Sequence, residues 1–313
     1  MTTLAIECPT EGLDRVELRT LRGVLMESAQ FLLGAGIESA QIDAEVLLRR
    51  VLGIEKAQLY STLDVPLSTD QQLQFQELLL RRAQREPVAY ITGRKEFWSL
   101  DFIVTADVLI PRPETELLVE VGLERLAHFV DKAPLILDIG TGSGVIAVCM
   151  AKERLDAGIC AVDISAAALE TACANVKRHG VSDRVHLMRG DLFVTLGAKT
   201  RVFDLIVSNP PYVRTGEISL LAPEIREWEP MTALDGGVDG MDIYRRIIEE
   251  AHEYLAPGGH IVLEIGADLG KTVAELFTRS GYYGQVSVYR DYAGKDRVIA
   301  AVKLPALDPV PEG

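Results

Sequence analysis

The feature that most constrains the fold is an alternation of short apolar runs with longer amphipathic segments, which continues from about residue 134 to residue 302. Strands are predicted at about 134–139, 159–163, 184–189, 203–208 and 260–265, and helices near 144–154, 165–179, 241–255 and 268–280. Regular strand–helix alternation is typical of an α/β protein with a doubly wound, mostly parallel sheet. Two further β-rich runs, 286–289 and 297–302, predict a closing pair of strands, the last of them antiparallel, so that seven strands are expected.

The first part of the chain lacks this alternation and predicts a small all-α domain. Apolar residues recur at helical spacing over about 13–33, 40–52 and 69–84, after a loose extension at residues 1–12. Ser68 and Thr69 each precede a glutamine by three residues, which gives two overlapping capping boxes at the start of the third helix.

The stretch between the two regions predicts a connecting hairpin. Residues 88–93, 96–98 and 101–105 are rich in β-forming side chains, and an amphipathic helix is expected from about 114 to 129. The predicted domain limits are therefore 1–85 for the helical N-terminal domain, 86–110 for a β-hairpin linker, 111–304 for the α/β domain and 305–313 for a loose, Pro-rich tail.

Charge and composition weigh against several classes of function. The net charge is −14 and the pI is near 4.9, whereas a general nucleic-acid binder carries a basic face that neutralises phosphates. The four cysteines and five histidines have no metal-ligand spacing, so no metal site is predicted. No apolar run reaches the ~20 residues of a membrane span. The N-terminus lacks the basic region of a signal peptide, so a cytoplasmic protein is expected.

The first strand of the α/β domain runs into a glycine-rich turn, Gly140-Thr141-Gly142-Ser143-Gly144. Glycine lets the backbone come within contact distance of a ligand, where a β-carbon would intrude. The spacing differs from the dinucleotide fingerprint, and a phosphate-binding loop would need a lysine where this chain has Val145. The turn therefore predicts a ligand site that is not built for a pyrophosphate.

Acidic residues follow the second and third strands. Asp163 lies about 20 residues after the turn, where an acid accepts hydrogen bonds from a ribose diol. Gly190-Asp191-Leu192 follows the third strand and is placed to meet an adenine amino group and ring. One acid after a strand is more often a helix cap than a ligand, but such features at successive strand ends favour a nucleoside site.

The fourth strand ends in Asn209-Pro210-Pro211-Tyr212. Neither proline offers an N–H and both fix φ, so the ladder stops and a stiff turn projects from the strand end. We expect the Asn209 side-chain oxygen and the Pro210 carbonyl to accept the two hydrogens of a planar NH2 group, with the Tyr212 ring packed on its plane. The alternative is a Pro-rich turn that merely ends a strand.

Together these motifs resemble the S-adenosylmethionine-dependent methyltransferases of the Rossmann-like class, and more closely the protein-(glutamine-N5) methyltransferases that modify peptide chain release factors. The resemblance covers nearly the whole chain. Besides the motifs already described, it is carried by 85–91 with Gly93, 96–98, 109–116, Glu229-Pro230, Ala233-Leu234, Gly236-Gly237, Asp239-Gly240, and Asp291-Tyr292 before Arg297-Val298.

The resemblance implies a function and a set of site residues. A methyl group would pass from S-adenosyl-L-methionine to the N5 amide nitrogen of the glutamine in the Gly-Gly-Gln motif of class 1 release factors, leaving S-adenosyl-L-homocysteine. The helical domain would help to hold the release factor, and neither a metal, a membrane nor a stable nucleic-acid partner is expected. Asn209, Pro210, Pro211 and Tyr212 would be catalytic and substrate-binding, and the cofactor residues would be Gly140, Thr141, Gly142, Ser143, Gly144, Asp163, Asp191, Leu192 and Asn209.

Three other functions remain open from the sequence. The same four-residue turn would serve a nucleic-acid amino-group methyltransferase acting on a flipped or unpaired base, although the acidity of the chain counts against it. A ribosomal protein would be another source of the substrate glutamine. A non-catalytic adaptor would predict decay of the glycine-rich turn or of the Asn209–Tyr212 turn, and both are intact. Residues 213–239 are a candidate lid over the substrate.

Overall fold

The computed structural model of the chain describes residues 20–127, 129, 132–197 and 202–305. It divides into two compact units, with the division between Thr92 and Gly93. The first unit thus includes residues 86–92, which the sequence analysis assigned to the linker. The predicted extension at 1–12 and residues 306–313 of the predicted tail lie outside the described residues. No described helix combines the length and the apolar character that a membrane crossing requires.

The first unit is helical, as the sequence predicted. Its helices are α1 (Leu21–Gly34), α2 (Ala40–Leu52), α3 (Lys56–Ser61), α4 (Thr69–Ala83) and α5 (Val88–Thr92). The predicted first helix began at residue 13, but residues 13–19 lie outside the described part of the chain.

One of the two predicted capping boxes is formed at the start of α4. The Gln71 N–H donates to Ser68 Oγ at 3.3 Å, and the Ser68 N–H donates to Gln71 Oε1 at 3.0 Å. The second box, from Thr69 to Gln72, is wrong, because the Gln72 side chain donates instead to the Leu67 carbonyl at 3.2 Å. The hydroxyl of Ser68 precedes the helix, so it is free to satisfy the unpaired N–H groups of the first turn.

The β structure predicted at residues 88–93 is also wrong. Val88–Thr92 is the short helix α5, in which the N–H groups of Tyr90 and Ile91 donate to the Pro87 carbonyl at 3.0 and 3.1 Å. Pro87 directly precedes the helix and its carbonyl accepts these first hydrogen bonds, and the helical turn forms despite the β preference of the side chains that follow. The short helix α3 was not predicted.

The hairpin in the second unit is shorter than the sequence indicated. Strands β1 (Arg94–Phe97) and β2 (Leu100–Ile103) are antiparallel. The turn residues Trp98 and Ser99 have φ of +55° and +57°. Two successive positive φ values are what a two-residue hairpin turn requires to match the twist of its strands.

The rest of the second unit is a seven-stranded sheet flanked by helices. Its elements are α6 (Glu116–Leu126), β3 (Leu135–Ile139), α7 (Val145–Glu153), β4 (Gly158–Asp163), α8 (Ala166–Arg178), β5 (Val185–Arg189), β6 (Phe203–Ser208), α9 (Pro223–Arg226), α10 (Asp242–Ala251), β7 (Leu255–Glu264), α11 (Gly270–Ser280), β8 (Tyr283–Arg290) and β9 (Asp296–Lys303). The strand order is β5-β4-β3-β6-β7-β9-β8. The first five strands of that order are parallel, and β9 is antiparallel to both neighbours, which confirms the predicted fold.

Adjacent residues of the central strands bury their side chains on opposite faces of the sheet. Ile136 and Leu205 pack in a core that includes α6, α7 and part of α8, whereas Leu137 and Ile206 pack in a second core with α10 and α11. Every residue of β6 is buried, as expected of a strand covered on both faces. The order of strands reverses between β3 and β6, which is where ligands bind in open α/β sheets.

Candidate active site

The C-terminal ends of β3, β4, β5 and β6 open into one cavity of about 470 Å³. This volume lies in the ordinary range for small-molecule sites. Most of the predicted site residues line it: Gly140, Thr141, Gly142, Ser143, Asp163, Asp191, Leu192, Asn209 and Pro211. Gly144, Pro210 and Tyr212 do not. Among all the lining residues, the aspartates outnumber the arginines four to two, and this excess of negative charge favours a cationic ligand. These residues are Asp107, Asp163, Asp191, Asp235, Arg112 and Arg246.

The glycine-rich turn forms the floor between β3 and α7. Gly140 and Gly142 have φ of +71° and +54°, and a β-carbon built at either would meet no protein atom within 4 Å. Glycine is needed here for the left-handed backbone and because a β-carbon would take up space beside the cavity. Gly144 has another role: a β-carbon there would stand 3.2 Å from that of Ala172, so this glycine lets α7 pack against α8.

Asp163 joins the ends of two strands. Its Oδ2 accepts the Gly142 N–H at 2.8 Å, and its Oδ1 accepts the Ser165 N–H at 2.8 Å. A carboxylate oxygen accepts more than one hydrogen bond, so both oxygens keep acceptor capacity toward the cavity. The side chain therefore shapes the turn, and its binding to a pair of ligand hydroxyl groups stays a prediction.

Asp191 and Leu192 line the cavity beyond β5. Asp191 Oδ2 accepts from the Arg246 guanidinium at 2.8 Å, and Arg246 also lines the cavity. Leu192 has a φ of +50°, an uncommon conformation for a branched side chain. Strained backbone of this kind concentrates at functional sites. Arg246 was not anticipated from the sequence.

The Asn209 side chain lies next to two buried side chains, Thr115 and Glu264, near the point where the strand order reverses. Its Nδ2 donates to Thr115 Oγ1 at 3.2 Å, and the Thr115 hydroxyl donates to Glu264 Oε2 at 2.6 Å. Burial raises the pKa of Glu264 to about 7, while the Thr115 hydrogen bond and the nearby Arg297 charge oppose that rise. Within the described residues, no group donates to Asn209 Oδ1, which is left to accept from a ligand.

Tyr212 packs on the apolar core around α10 and α11 and does not line the cavity. Burial raises the pKa of its hydroxyl to about 12, and the charge of Glu264 adds to the rise. The contribution of Pro210 and Tyr212 to substrate binding therefore stays a prediction.

The segment that follows Tyr212 leaves the sheet and returns to it. Val213 pairs with Asp235 in an isolated bridge, and the Gly236 N–H donates to the Val213 carbonyl at 2.8 Å. A β-carbon at Gly240 would stand 2.5 Å from the Tyr212 carbonyl oxygen, so the returning chain lies tightly on the Asn209–Tyr212 turn. Within this segment, residues 230–233 and Asp235 form part of the cavity wall.

A buried ion pair fixes that wall. The Arg112 guanidinium donates to the nearly buried Glu229 carboxylate, which also accepts the Ile110 N–H at 3.3 Å. Because Arg112 lines the cavity and Glu229 directly precedes Pro230, which also lines it, the pair joins two parts of the cavity wall.

Asp138, two residues before the first glycine of the turn, is fully buried beneath the cavity. Its Oδ2 accepts from the Thr141 hydroxyl at 2.7 Å, and Oδ1 has no partner among the described residues. Burial raises the pKa of this carboxyl to about 7, and the neighbouring Asp163 charge adds to the rise. No cluster of metal-binding side chains occurs among the residues that the structure describes.

Sequence reasoning missed Thr115, Arg246 and Glu264. Glu264 ends the last parallel strand, so the rule that selected Asp163 and Asp191 would have selected it too. Thr115 lies in the Pro-rich stretch 109–116, whose pattern was noted but given no role. Arg246 carried no signal, because arginine on the polar face of an amphipathic helix is ordinary.

Comparison with known proteins agrees with this geometry. Residues 24–93 match the family model described as PrmC N-terminal domain, and residues 115–224 match the methyltransferase small domain. A solved methyltransferase from Pyrococcus furiosus has a similar fold, with a TM-score of 0.50 and 21% identity over 72% of this chain and 99% of that one. The fold is thus that of a Rossmann-like methyltransferase.

Closer relatives define the family. The release factor glutamine methyltransferase of Geobacter sulfurreducens is 44% identical over 286 residues, which is 91% of this chain and 98% of the relative. That of Cereibacter sphaeroides is 43% identical over 275 residues, covering 88% and 95%. The chain belongs to the release factor glutamine methyltransferase family.

Proposed function

We propose that this enzyme transfers the methyl group of S-adenosyl-L-methionine to the N5 amide nitrogen of the glutamine in the Gly-Gly-Gln motif of class 1 peptide chain release factors. The observation that carries the proposal is the Asn209 amide, held by Thr115 at the end of β6 on the edge of the nucleoside-sized cavity. The relatives named for this activity support it. A cytoplasmic location, where translation takes place, belongs to the same proposal.

The cavity fits the proposed cofactor. Gly140 and Gly142 leave space beside the turn, and the Asp163 carboxylate, which lines the cavity, would accept hydrogen bonds from the two ribose hydroxyls. Asp191 and Leu192 lie beyond β5, where the adenine would be held. The excess of acids over arginines along the wall suits a cofactor with a sulfonium charge. When bound there, the cofactor supplies an electrophilic methyl group.

The protein residues have to present a weak nucleophile. An amide nitrogen reacts poorly because its lone pair is delocalised into the carbonyl group. Asn209 Oδ1 would accept one N–H of the substrate amide and the Pro210 carbonyl the other, which aims the nitrogen at the methyl group. Holding two reactants in line contributes ~7 kcal/mol or more to lowering such a barrier.

The same acceptors also act as the nitrogen reacts. Positive charge grows on the nitrogen, and two oxygens fixed beforehand stabilise that charge without having to reorient. The proton on the methylated nitrogen can leave to water afterwards, so the proposal needs no dedicated base. Alignment and electrostatics are therefore sufficient.

A parallel labelling assay tests the substrate. The enzyme is incubated with labelled S-adenosyl-L-methionine and, in separate reactions, a release factor, a ribosomal protein or a nucleic acid. Label is expected on the release factor, on one glutamine-containing peptide by mass spectrometry. The matched control is a release factor whose Gly-Gly-Gln glutamine is replaced by asparagine, which should take up no label. Label on the ribosomal protein or the nucleic acid alone would refute the proposed substrate.

A further inference from the structure

Thr115 stands between the proposed amide-binding residue and a buried acid. It is 3% exposed and is the last residue of the 3-10 turn Pro113–Thr115, directly before α6. Its hydroxyl oxygen is 2.6 Å from Glu264 Oε2 and 3.2 Å from Asn209 Nδ2. Glu264, at the end of β7, is 1% exposed and is not part of the cavity wall. Among the described residues no hydrogen bond joins its carboxylate to Asn209, so the two side chains are linked through Thr115.

The number of hydrogens that each of these three side chains can donate determines the direction of the hydrogen bonds between them. An ionised carboxylate only accepts, and a hydroxyl has one hydrogen to donate. With that hydrogen given to Glu264, the Thr115 oxygen can only accept from Asn209. The Asn209 side chain can donate only through Nδ2, so Nδ2 must face Thr115. Its Oδ1 then lies on the opposite side of the amide, away from Thr115. The direction of the chain determines which end of the Asn209 amide is available as an acceptor.

We infer that Thr115 and Glu264 are positioning residues that keep the Asn209 amide with its oxygen available to the substrate. The inference rests on the proposed function, because it assumes that Asn209 Oδ1 accepts the substrate N–H. An asparagine turned by 180° would present two donors to a substrate group that itself donates. Orientation, and not only the presence of Asn209, would then set the rate.

The surroundings hold Glu264 in place. Parallel pairing of β6 with β7 sets Ser208 opposite Leu263, so Asn209 and Glu264 are the next residues on adjacent strands. The Tyr244 hydroxyl donates to the Glu264 backbone carbonyl at 2.8 Å. Burial raises the pKa of Glu264, whereas the Thr115 hydrogen bond and the charges of Arg297 and Arg112 favour the ionised carboxylate and limit that rise. The acid is thus fixed in position, and in its ionised form it accepts from the Thr115 hydroxyl.

Isosteric substitutions can remove or reverse the chain of bonds. Thr115→Val keeps the shape but removes the hydroxyl, and Thr115→Ser keeps the hydroxyl. Glu264→Gln keeps the size but adds an NH2 group that can donate. The Thr115 hydroxyl can then accept from the new glutamine and donate its own hydrogen to Asn209. Thr171→Val is the matched control, because Thr171 is also buried and its hydroxyl bonds only to groups away from the cavity.

The test measures the single-turnover rate of methyl transfer to release factor, together with cofactor affinity by calorimetry. Thr115→Val and Glu264→Gln should each lower the rate about 10- to 100-fold, the range for losing an oriented hydrogen bond to a charged partner. Cofactor affinity should stay within about threefold. Thr115→Ser should recover most of the loss relative to Thr115→Val, and Thr171→Val should leave the rate unchanged.

A double-mutant cycle separates this role from simple structural support. If Glu264 acts through Thr115, Glu264→Gln should have little further effect on the rate once Thr115→Val is present. Equal activity of Thr115→Val and wild type, or additive losses in the cycle, would overturn the inference. If Asn209→Ala itself keeps the normal rate, the proposed function is wrong. If only Asn209→Ala lowers the rate, the proposed function stands and the positioning role is wrong.

Discussion

The backbones of Gly236 and Tyr212 are in direct contact: a β-carbon at Gly236 would stand 2.7 Å from the Tyr212 Cα and 2.8 Å from the Pro211 carbonyl oxygen. Real β-carbons do not approach other atoms this closely, so one of the two chains would have to move. The returning end of the 213–239 segment therefore sets the position of the Asn209–Tyr212 turn. This contact links the cavity wall to the strand end that carries Asn209.

Gly236→Ala should displace that turn and lower the methyl-transfer rate by about 10-fold or more, because small misplacements of reacting groups are costly. The matched control is Gly216→Ala in the same segment, where a β-carbon meets no atom within 4 Å and φ is not positive. Single-turnover kinetics on both variants checks this. Equal rates for the two would show that the Gly236 contact does not control the turn.

Asp163→Ala should weaken S-adenosyl-L-methionine binding by ~2–3 kcal/mol, since charge-assisted hydrogen bonds are the stronger kind. Calorimetry measures the affinity directly. Asp183→Ala is the control, because that side chain is 74% exposed and does not line the cavity. Unchanged affinity in a folded Asp163→Ala protein would remove the ribose assignment.

Asn209→Ala should leave cofactor affinity nearly intact and lower the single-turnover rate by ~100-fold or more, as when one partner of a transition state is lost. The rate with saturating cofactor and release factor is the measurement. A rate close to that of wild type would mean that the substrate amide is held by other groups.

The buried Asp138 carboxyl should make stability fall as pH rises. Burial raises its pKa from 3.8 to about 7, so between these values the folded protein keeps a proton that the unfolded chain has lost. The stabilising contribution is complete at low pH and is lost as pH approaches about 7, at a slope of at most ~1.4 kcal/mol per pH unit. Asp138→Asn stays neutral and should lack this slope. Urea unfolding of both proteins from about pH 4.5 to 7.5 checks it; parallel curves would contradict it.

Removal of the helical unit should leave cofactor binding intact but impair methylation of the release factor. The cavity residues all follow Gly93, so a chain that begins there keeps the whole cavity. We expect S-adenosyl-L-methionine affinity within about threefold of wild type and kcat/KM for intact release factor lower by about 10-fold or more, because remote binding energy positions the glutamine. A soluble truncated enzyme that modifies release factor at the full rate would show that the helices serve only folding.

Much of the fold and the cavity was predictable because local signals and tertiary structure agree. Buried strands such as β6 read as mostly apolar runs, and a glycine or proline closely follows the ends of β3, β5 and β6. Where local signals compete, prediction failed: α5 is helical directly after Pro87 despite its β-forming side chains. The position of Glu264 at a strand end could have been noticed, but its hydrogen bond to Thr115 could not be predicted from the sequence. Thr115 and Glu264 are 149 residues apart, and only the finished sheet brings them together.

The isolated bridge between Val213 and Asp235 holds the two ends of the intervening segment together, next to the Asn209–Tyr212 turn. The cost of closing such a loop grows only slowly with its length. Residues near Gly216 and in α9 can therefore be exchanged, inserted or deleted while the backbone contact between Tyr212 and Gly236 keeps its geometry. The outer part of this segment can therefore change to suit a different protein partner without disturbing the chemistry. The contacts at its two ends keep the Asn209–Tyr212 turn in place whatever the outer part becomes.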